Sequence, residues 1–186
     1  MIITIREIID LILMTIIVGI IFSSFFRKFR PYEALNKYGI DWKTIKMAIW
    51  ITAPAIILHE MAHKFVAMGF GLEAVFHAAY TWLGIGLVLA LMRTGFIFFV
   101  PGYVSISGAG LTPLTHSIVA VAGPAMNLLL WVGAWLVLKK GLVNDKYAPI
   151  LILTKKINML LFIFNMLPIP MFDGFTFYSG IIQTIF

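Results

Sequence analysis

Long apolar runs, separated by short polar or glycine-containing breaks, dominate the chain. A helix needs about 20 apolar residues to cross a bilayer. The tail, 173–186, is apolar but too short to cross alone. The pattern predicts an all-α polytopic membrane protein with about five to six transmembrane helices. Runs of about the required length occupy residues 8–26, 47–70, 74–92, 114–138 and 150–167.

Residues 95–113, GFIFFVPGYVSISGAGLTP, depart from the helical pattern. β-branched and aromatic residues dominate them, Pro101 and Gly102 interrupt them, and Gly108 and Gly110 close them. We therefore predict two short strands around a turn. An open strand edge cannot face lipid, so this membrane-embedded β-hairpin must lie against protein or line a wet cavity.

The composition agrees with a membrane protein and removes other classes. Hydrophobic residues make up 61% of the chain and charged residues only 12%, about half the charged fraction of a soluble domain. The absence of cysteine excludes disulfides and thiolate metal sites. Basic residues cluster at the ends of apolar runs, which indicates contact with the lipid bilayer and argues against nucleic-acid binding. The clusters are Arg27, Lys28 and Arg30, then Lys43 and Lys46, then Lys139 and Lys140.

A polar linker, residues 27–46, divides the chain into two segments. We predict an N-terminal transmembrane helix with this linker over 1–46 and a membrane core over 47–186. The linker carries six basic and two acidic residues, so the positive-inside rule would place it in the cytoplasm. In the fifth run we expect Lys155 and Lys156 to snorkel at a helix end.

His59-Glu60-Met61-Ala62-His63 places three ionisable side chains in a very apolar run. If this run is helical, His59 and His63 project from one face about one turn apart and can bind a single Zn²⁺. Glu60 can then act as general base on a metal-bound water. The HExxH pattern alone occurs in many unrelated sequences, but ionisable groups at bilayer depth are functional by default. The alternative is a structural polar cluster that bonds neighbouring helices.

A catalytic zinc site takes three protein ligands and keeps one position open, so a third ligand must come from elsewhere. Asp173 follows Pro168 and Pro170, which break the fifth apolar run. Unwound backbone at membrane depth is tolerated where it lines a cavity. Asp173 could instead cap the N-terminus of the last helix. The other candidates, of which we expect the histidines to be packing residues, are His77, His116, Glu73, Asp10 and Asp145.

Three motifs occur in order along the chain: HExxH at 59–63, Gly123-Pro124-Ala125-Met126-Asn127, and NMLPIPMFDG at 165–174. Together they resemble the site-2 proteases, the intramembrane zinc metalloproteases, over about residues 47–180. The pairing of HExxH with NxxPxPxxDG is specific, whereas GPxxN alone is weak. Phe172 stands where family members often have leucine. The apolar run at 74–92 is an addition, either a full span or a re-entrant pair.

The resemblance implies a role for each matched residue. His59, His63 and Asp173 would bind one zinc ion, and Glu60 would be the catalytic base. Asn165 would hydrogen-bond the substrate or the developing oxyanion, and loss of such a donor typically costs about 10²–10³ in rate.

The resemblance also implies how a substrate is held. The family's membrane-embedded β element corresponds to residues 95–107, where Val104 and Ser105 would pair with an unwound substrate strand. Asn127 would lie near the site, as a helix-packing residue or a substrate contact. The family usually places HExxH toward the cytoplasmic end of its helix, which conflicts with the cytoplasmic linker, so both membrane orientations stay open.

The sequence therefore predicts a multi-pass protein of a prokaryotic plasma membrane, a zinc-dependent endopeptidase. Its partner would be a transmembrane peptide or protein, cleaved in or near a transmembrane helix. Two alternatives stay open. A catalytically silent relative would bind membrane helices but would have no use for Glu60. A metal transporter would place acidic or histidine pairs on several helices, whereas here they converge on two segments.

Overall fold

The computed structural model describes residues 2–26, 42–92 and 100–186. Within these ranges the protein is mostly helical, as predicted, with six helices and one pair of strands. Three of the described helices, α2, α4 and α5, are long and apolar enough to cross a membrane, so the predicted count of five to six spans is not confirmed. The elements are α1 (Ile5–Phe26), α2 (Trp42–Gly69), β1 (Glu73–Ala78), α3 (Tyr80–Leu91), β2 (Gly102–Ser107), α4 (Pro113–Lys139), α5 (Ala148–Asn165) and α6 (Asp173–Ile185).

The chain forms two compact units. The first comprises Met1–Ile56 and His77–Tyr103, and the second comprises Ile57–Phe76 and Val104–Phe186. In the first unit α1 packs against α3, and in the second α4 packs against both α5 and α6. All three sequence motifs belong to the second unit.

Asp10 of α1 forms a polar cluster inside the first unit. Only 4% of the residue is exposed. Its carboxylate accepts hydrogen bonds from the Ala78 N–H at 3.2 Å and from the Tyr80 hydroxyl at 2.6 Å. We call this group the Asp10 cluster. It ties α1 to the junction between β1 and α3.

Helix α2 begins earlier than the apolar run that predicted it. Its first residue is Trp42, so residues 42–46, which we assigned to the linker, are helical. Residues 27–41 lie outside the described ranges. The HExxH motif occupies the C-terminal half of this 28-residue helix.

The run at 74–92 is neither a full span nor a re-entrant helix pair. It divides into β1 and the 12-residue helix α3. Along β1, residues alternate between exposed and buried positions, as the two-residue period of a strand requires. The prediction merged strand and helix because both lie within one apolar run.

Strand β2 lies within 95–113, where two short strands were predicted, but the first of these falls on residues outside the described ranges. In the described chain β2 pairs with β1, on the far side of α3 in sequence, while residues 93–99 lie outside the described ranges. The Ser105 hydroxyl of β2 donates a further hydrogen bond to the Val75 carbonyl of β1 at 3.2 Å. The pairing is therefore long-range, and a local turn does not create it.

Helix α4 has well-defined ends. The Thr115 N–H donates to the Thr112 hydroxyl at 3.2 Å and the Thr112 N–H donates to the Thr115 hydroxyl at 2.7 Å, a capping box that satisfies two backbone donors. Pro113 occupies the first turn, where its missing N–H leaves no bond unmade. At the other end, the Lys139 ammonium lies 4.9 Å from the Trp135 ring centroid. Paired lysine and tryptophan suit a helix end at a membrane surface.

Candidate metal centre

The two histidines of HExxH lie on one face of α2. Their Nε2 atoms are 3.1 Å apart, and their rings meet edge to face with centroids 4.7 Å apart. Residues four apart are neighbours on a helix, so this pairing needs no other element. Both histidines are buried, which places their imidazoles within the protein.

Asp173 completes a triangle of ligand atoms with this pair. Its Oδ2 lies 3.1 Å from His59 Nε2 and 3.4 Å from His63 Nε2. Among the described residues, these three form the one group of potential ligands that could share a metal ion. Asp173 is the first residue of α6, and the N-cap is Phe172, with no capping side chain. The geometry therefore favours the ligand role over the N-cap.

The triangle fits a small tetrahedral ion. A tetrahedral zinc with bonds of about 2.0–2.1 Å places neighbouring ligand atoms about 3.3–3.4 Å apart. The three separations here are 3.1, 3.1 and 3.4 Å. Two imidazoles and a carboxylate are donors that catalytic zinc accepts. The side chain of Asp173 is 26% exposed and each histidine only 8%, so the triangle opens on the Asp173 side.

Hydrogen bonds on the far side of each imidazole leave its Nε2 available. His63 Nδ1 lies 2.7 Å from the Val119 carbonyl oxygen, which can only accept. We therefore assign the proton to Nδ1, and Nε2 keeps its lone pair. His59 Nδ1 lies 2.6 Å from Asn127 Oδ1 and donates in the same way. Partners of this kind orient the ring and fix the tautomer of a metal-binding histidine.

One face of α4 receives the histidine pair. Val119, Gly123 and Asn127 follow each other at intervals of four residues, so they lie on that face, and all three are buried. A Cβ at Gly123 would lie against His63 Nε2 and 2.6 Å from His59 Nε2. Any side chain there would fill the space beside the two lone pairs. In the GPxxN motif, Gly123 thus leaves space beside the two histidines, and Asn127 binds His59.

Asn158 is a residue at this site that the sequence analysis missed. It is fully buried in α5 and accepts a hydrogen bond from Asn127 Nδ2 at 3.0 Å. Its own Nδ2 donates to the Thr154 carbonyl at 2.9 Å. The signal that could have found it is an amide in the middle of an apolar span, because polar groups there are commonly functional.

Glu60, the predicted base, follows His59 and is only 6% exposed. Its carboxylate lies close enough to interact electrostatically with both histidines and with Asp173. Asp173 would bind a metal in its ionised form.

A tight reversal between α5 and α6 brings Asp173 back toward the end of α5. Asn165 is the last residue of α5 and is partly exposed. A Cβ at Gly174 would lie 2.5 Å from the Met166 carbonyl carbon, so only glycine lets α6 pack here. Met171 within the turn has a φ of 84°, which is uncommon outside glycine. The NxxPxPxxDG motif is therefore a compact turn that carries a ligand.

The residues predicted to bind substrate divide between two environments. Val104 packs against a buried apolar cluster that includes Val119 of α4. Ser105 is exposed on the opposite face of β2. The side chain of Asn127 is fully buried and forms hydrogen bonds with His59 and Asn158. It is therefore placed to orient the imidazole of His59. Contact between Asn127 and a substrate would require this network to open.

The five other candidates for the third ligand are not part of the triangle. The ring of His77 lies 5.3 Å from that of Tyr103, an arrangement typical of packing. Asp10 is engaged in the Asp10 cluster. The remaining three are exposed: His116, Glu73 and Asp145.

Comparison with known proteins agrees with this geometry. A protein of Methanocaldococcus jannaschii, named "Putative zinc metalloprotease MJ0611", is 32% identical over 91% of this chain and 81% of its own length. The chain belongs to the site-2 protease family. No family profile and no solved structure matches the chain.

Two further relatives of this site-2 protease carry similar names. "Putative zinc metalloprotease Rip2" of Mycolicibacterium smegmatis is 30% identical over 69% of this chain. "Putative zinc metalloprotease sll0528" of Synechocystis sp. is 24% identical over 91% of it. The chain spans 54% and 40% of the lengths of these two proteins, respectively.

Proposed function

We propose that the protein is a zinc-dependent endopeptidase that hydrolyses peptide bonds within or beside the transmembrane helices of its substrates. The observation that carries the proposal is the convergence of His59 Nε2, His63 Nε2 and Asp173 Oδ2 in a triangle with one open side. The relatives named as zinc metalloproteases support a metalloprotease function. The apolar helices support a membrane location, which we take to be the plasma membrane of a prokaryote.

The chemistry divides between the ion and the chain. When bound, zinc would act as a Lewis acid that polarises the scissile carbonyl and lowers the pKa of water. His59, His63 and Asp173 hold the ion, and Glu60 takes the proton of the attacking water and delivers it to the leaving amine. Asn165, at the end of α5, donates a hydrogen bond to the substrate or to the oxyanion as it develops.

A substrate helix must unwind locally before it can be cleaved. In an intact helix the backbone carbonyls are engaged in i→i−4 hydrogen bonds, and the peptide bonds are not accessible to water. The two-stranded sheet supports the capture of such an unwound segment. In the described chain each strand has one neighbour, and an outer strand edge can accept an extended peptide through main-chain bonds. We propose that Val104 and Ser105 of β2 belong to this recognition surface.

The Glu60→Gln substitution tests the mechanism. Glutamine keeps the size of the side chain but cannot take a proton, so we expect bound zinc to remain and cleavage to fall at least about 10²-fold. Zinc content of the purified protein and cleavage of a reporter transmembrane peptide are measured for both forms.

Other outcomes of this experiment would point elsewhere. A Glu60→Gln protein that cleaves at the wild-type rate contradicts the assignment of the base. A wild-type protein that binds zinc and the reporter helix without cutting it is a silent relative. Zinc flux across vesicles containing the wild type would instead indicate a transporter.

A further inference from the structure

We infer that Asn158 is a positioning residue of the metal centre, which acts through Asn127 to fix the ring orientation and tautomer of His59. The inference rests on the proposed zinc-binding function. Asn158 lies outside the HExxH, GPxxN and NxxPxPxxDG motifs. It is also 0% exposed, so water does not compete for its amide.

The hydrogen-bond chain begins at a group whose role is unambiguous. The Thr154 carbonyl can only accept, so the atom of Asn158 that lies 2.9 Å away must be its Nδ2 donor. Asn158 Oδ1 is therefore directed to Asn127, and the atom of Asn127 that lies 3.0 Å from it must be a donor too. Each amide fixes the orientation of the next.

The orientation of Asn127 in turn fixes the tautomer of His59. Because Asn127 uses Nδ2 toward Asn158, its Oδ1 faces His59 Nδ1 at 2.6 Å. An oxygen in that position requires a proton on Nδ1, which leaves the lone pair on Nε2 for the ion. If Asn127 turned its amide over, its NH₂ would face Nδ1, and the proton of a neutral His59 would move to Nε2. That tautomer cannot bind the metal through Nε2.

The two histidines differ in how securely this state is held. His63 donates to the carbonyl of Val119, a main-chain acceptor that cannot rotate. His59 depends on a side-chain amide, and an isolated amide can present either end. Asn158 removes this freedom, because a turned Asn127 would bring two acceptor oxygens together in a buried space. The second amide is therefore what makes Asn127 a reliable partner.

The test measures metal affinity rather than cleavage. Asn158→Leu removes the acceptor at similar volume, and we expect zinc affinity to fall about 10–100-fold, the usual effect of removing an outer partner of a metal ligand. Affinity is determined by competition with a chelator, and the absorption spectrum of the Co²⁺-loaded protein reports the coordination of the ion. The matched control is Thr154→Val, because Thr154 contributes only its carbonyl, so zinc affinity and the Co²⁺ spectrum should not change.

A conservative variant and a double variant separate positioning from packing. In Asn158→Asp, burial favours the neutral acid, which can donate to Thr154 and accept from Asn127, so we expect zinc affinity to recover. Asn127→Leu should weaken zinc binding, and adding Asn158→Leu to it should cause no further loss, since both act through one chain. If Asn158→Leu does not fold, Asn158→Ala takes its place in the same comparison.

Two results would overturn the inference without touching the proposed function. One is an Asn158→Leu protein that melts earlier but binds zinc like the wild type, which indicates packing alone. The other is an additive loss in the double variant, which indicates that Asn158 acts independently of Asn127. A wild type that binds no zinc would instead contradict the proposed function itself.

Discussion

The Asp10 cluster of the first unit and the metal triangle of the second both place a carboxylate among apolar helices, but they differ in what faces it. Asp10 meets two donors, the Ala78 N–H and the Tyr80 hydroxyl, one for each carboxylate oxygen. Asp173 Oδ2 meets the Nε2 atoms of His59 and His63. With their Nδ1 protons directed away, these two nitrogens present lone pairs.

The difference separates two uses of buried polarity. A carboxylate surrounded by donors is satisfied where it stands, and it holds the fold together. A carboxylate and two imidazoles whose lone pairs converge are stabilised by a cation, so their arrangement indicates a binding site. The direction of the neighbouring protons, and not the burial of the acid, distinguishes the two.

Filling the space beside the triangle should have the largest effect. In Gly123→Ala the new methyl group would lie against both Nε2 atoms, so we expect zinc content and cleavage to be lost together. Gly133→Ala on the same helix is the control, because a Cβ there has no neighbour within 4 Å. Metal analysis of both purified variants decides the matter. Normal zinc binding by Gly123→Ala would show that the space is not needed.

Removing the charge of the third ligand should have the next largest effect. We expect Asp173→Asn to weaken zinc binding by more than the roughly 100-fold that marks the loss of an outer partner. The melting temperature of the zinc-free protein should change little, because Asp173 meets no donor pair like that of Asp10. Equilibrium zinc titration and a thermal melt check both statements. Unaltered zinc affinity would show that Asp173 is not a metal ligand.

Asp10→Ala should give the reverse result. The variant loses two hydrogen bonds and leaves a buried N–H without its acceptor, and we expect the free energy of unfolding to fall by about 2 kcal/mol. Zinc affinity should stay at the wild-type value. The graded variant Asp10→Asn keeps an acceptor for Tyr80 and should lose less stability. If Asp10→Ala weakened zinc binding as much as Asp173→Asn does, the distinction between the two clusters would fail.

The turn that carries Asp173 should give the smallest effect. Met171 has a positive φ, a conformation that costs a side chain about 1 kcal/mol or more. We expect Met171→Gly to raise the melting temperature slightly and Met171→Val to lower it, with zinc still bound in both. Thermal melts of the zinc-free variants measure this. A lower melting temperature for the glycine variant would contradict the strained backbone.

Helices that depend on local pattern were readable from the sequence, and so was strand β2, but strand β1 and the pairing of the sheet were not. The run 114–138 predicts α4 to within one residue at each end, because the length of an apolar run is a local signal. Strand β1 was hidden in an apolar run, where a buried strand and a buried helix look alike. Its pairing with β2 depends on the tertiary path of the chain, which no local window records.

The same division holds at the metal centre. His59 and His63 could be paired from spacing alone, since the helix brings them together. Asp173 needed the resemblance, because its approach depends on a turn that no local rule specifies. Asn158 and the steric role of Gly123 depend on how α4 packs against α2 and α5, so they became visible only in three dimensions.

The unequal exposure of His59, His63 and Asp173 indicates from which side the metal centre can be reached. The face of α4 covers the imidazoles, while a quarter of the Asp173 side chain remains exposed, at 26%. Under the proposed function, water and a peptide substrate would reach the ion past the turn between α5 and α6. The turn that carries Asp173 also borders this opening. A shift of the turn would therefore change both substrate access and zinc affinity.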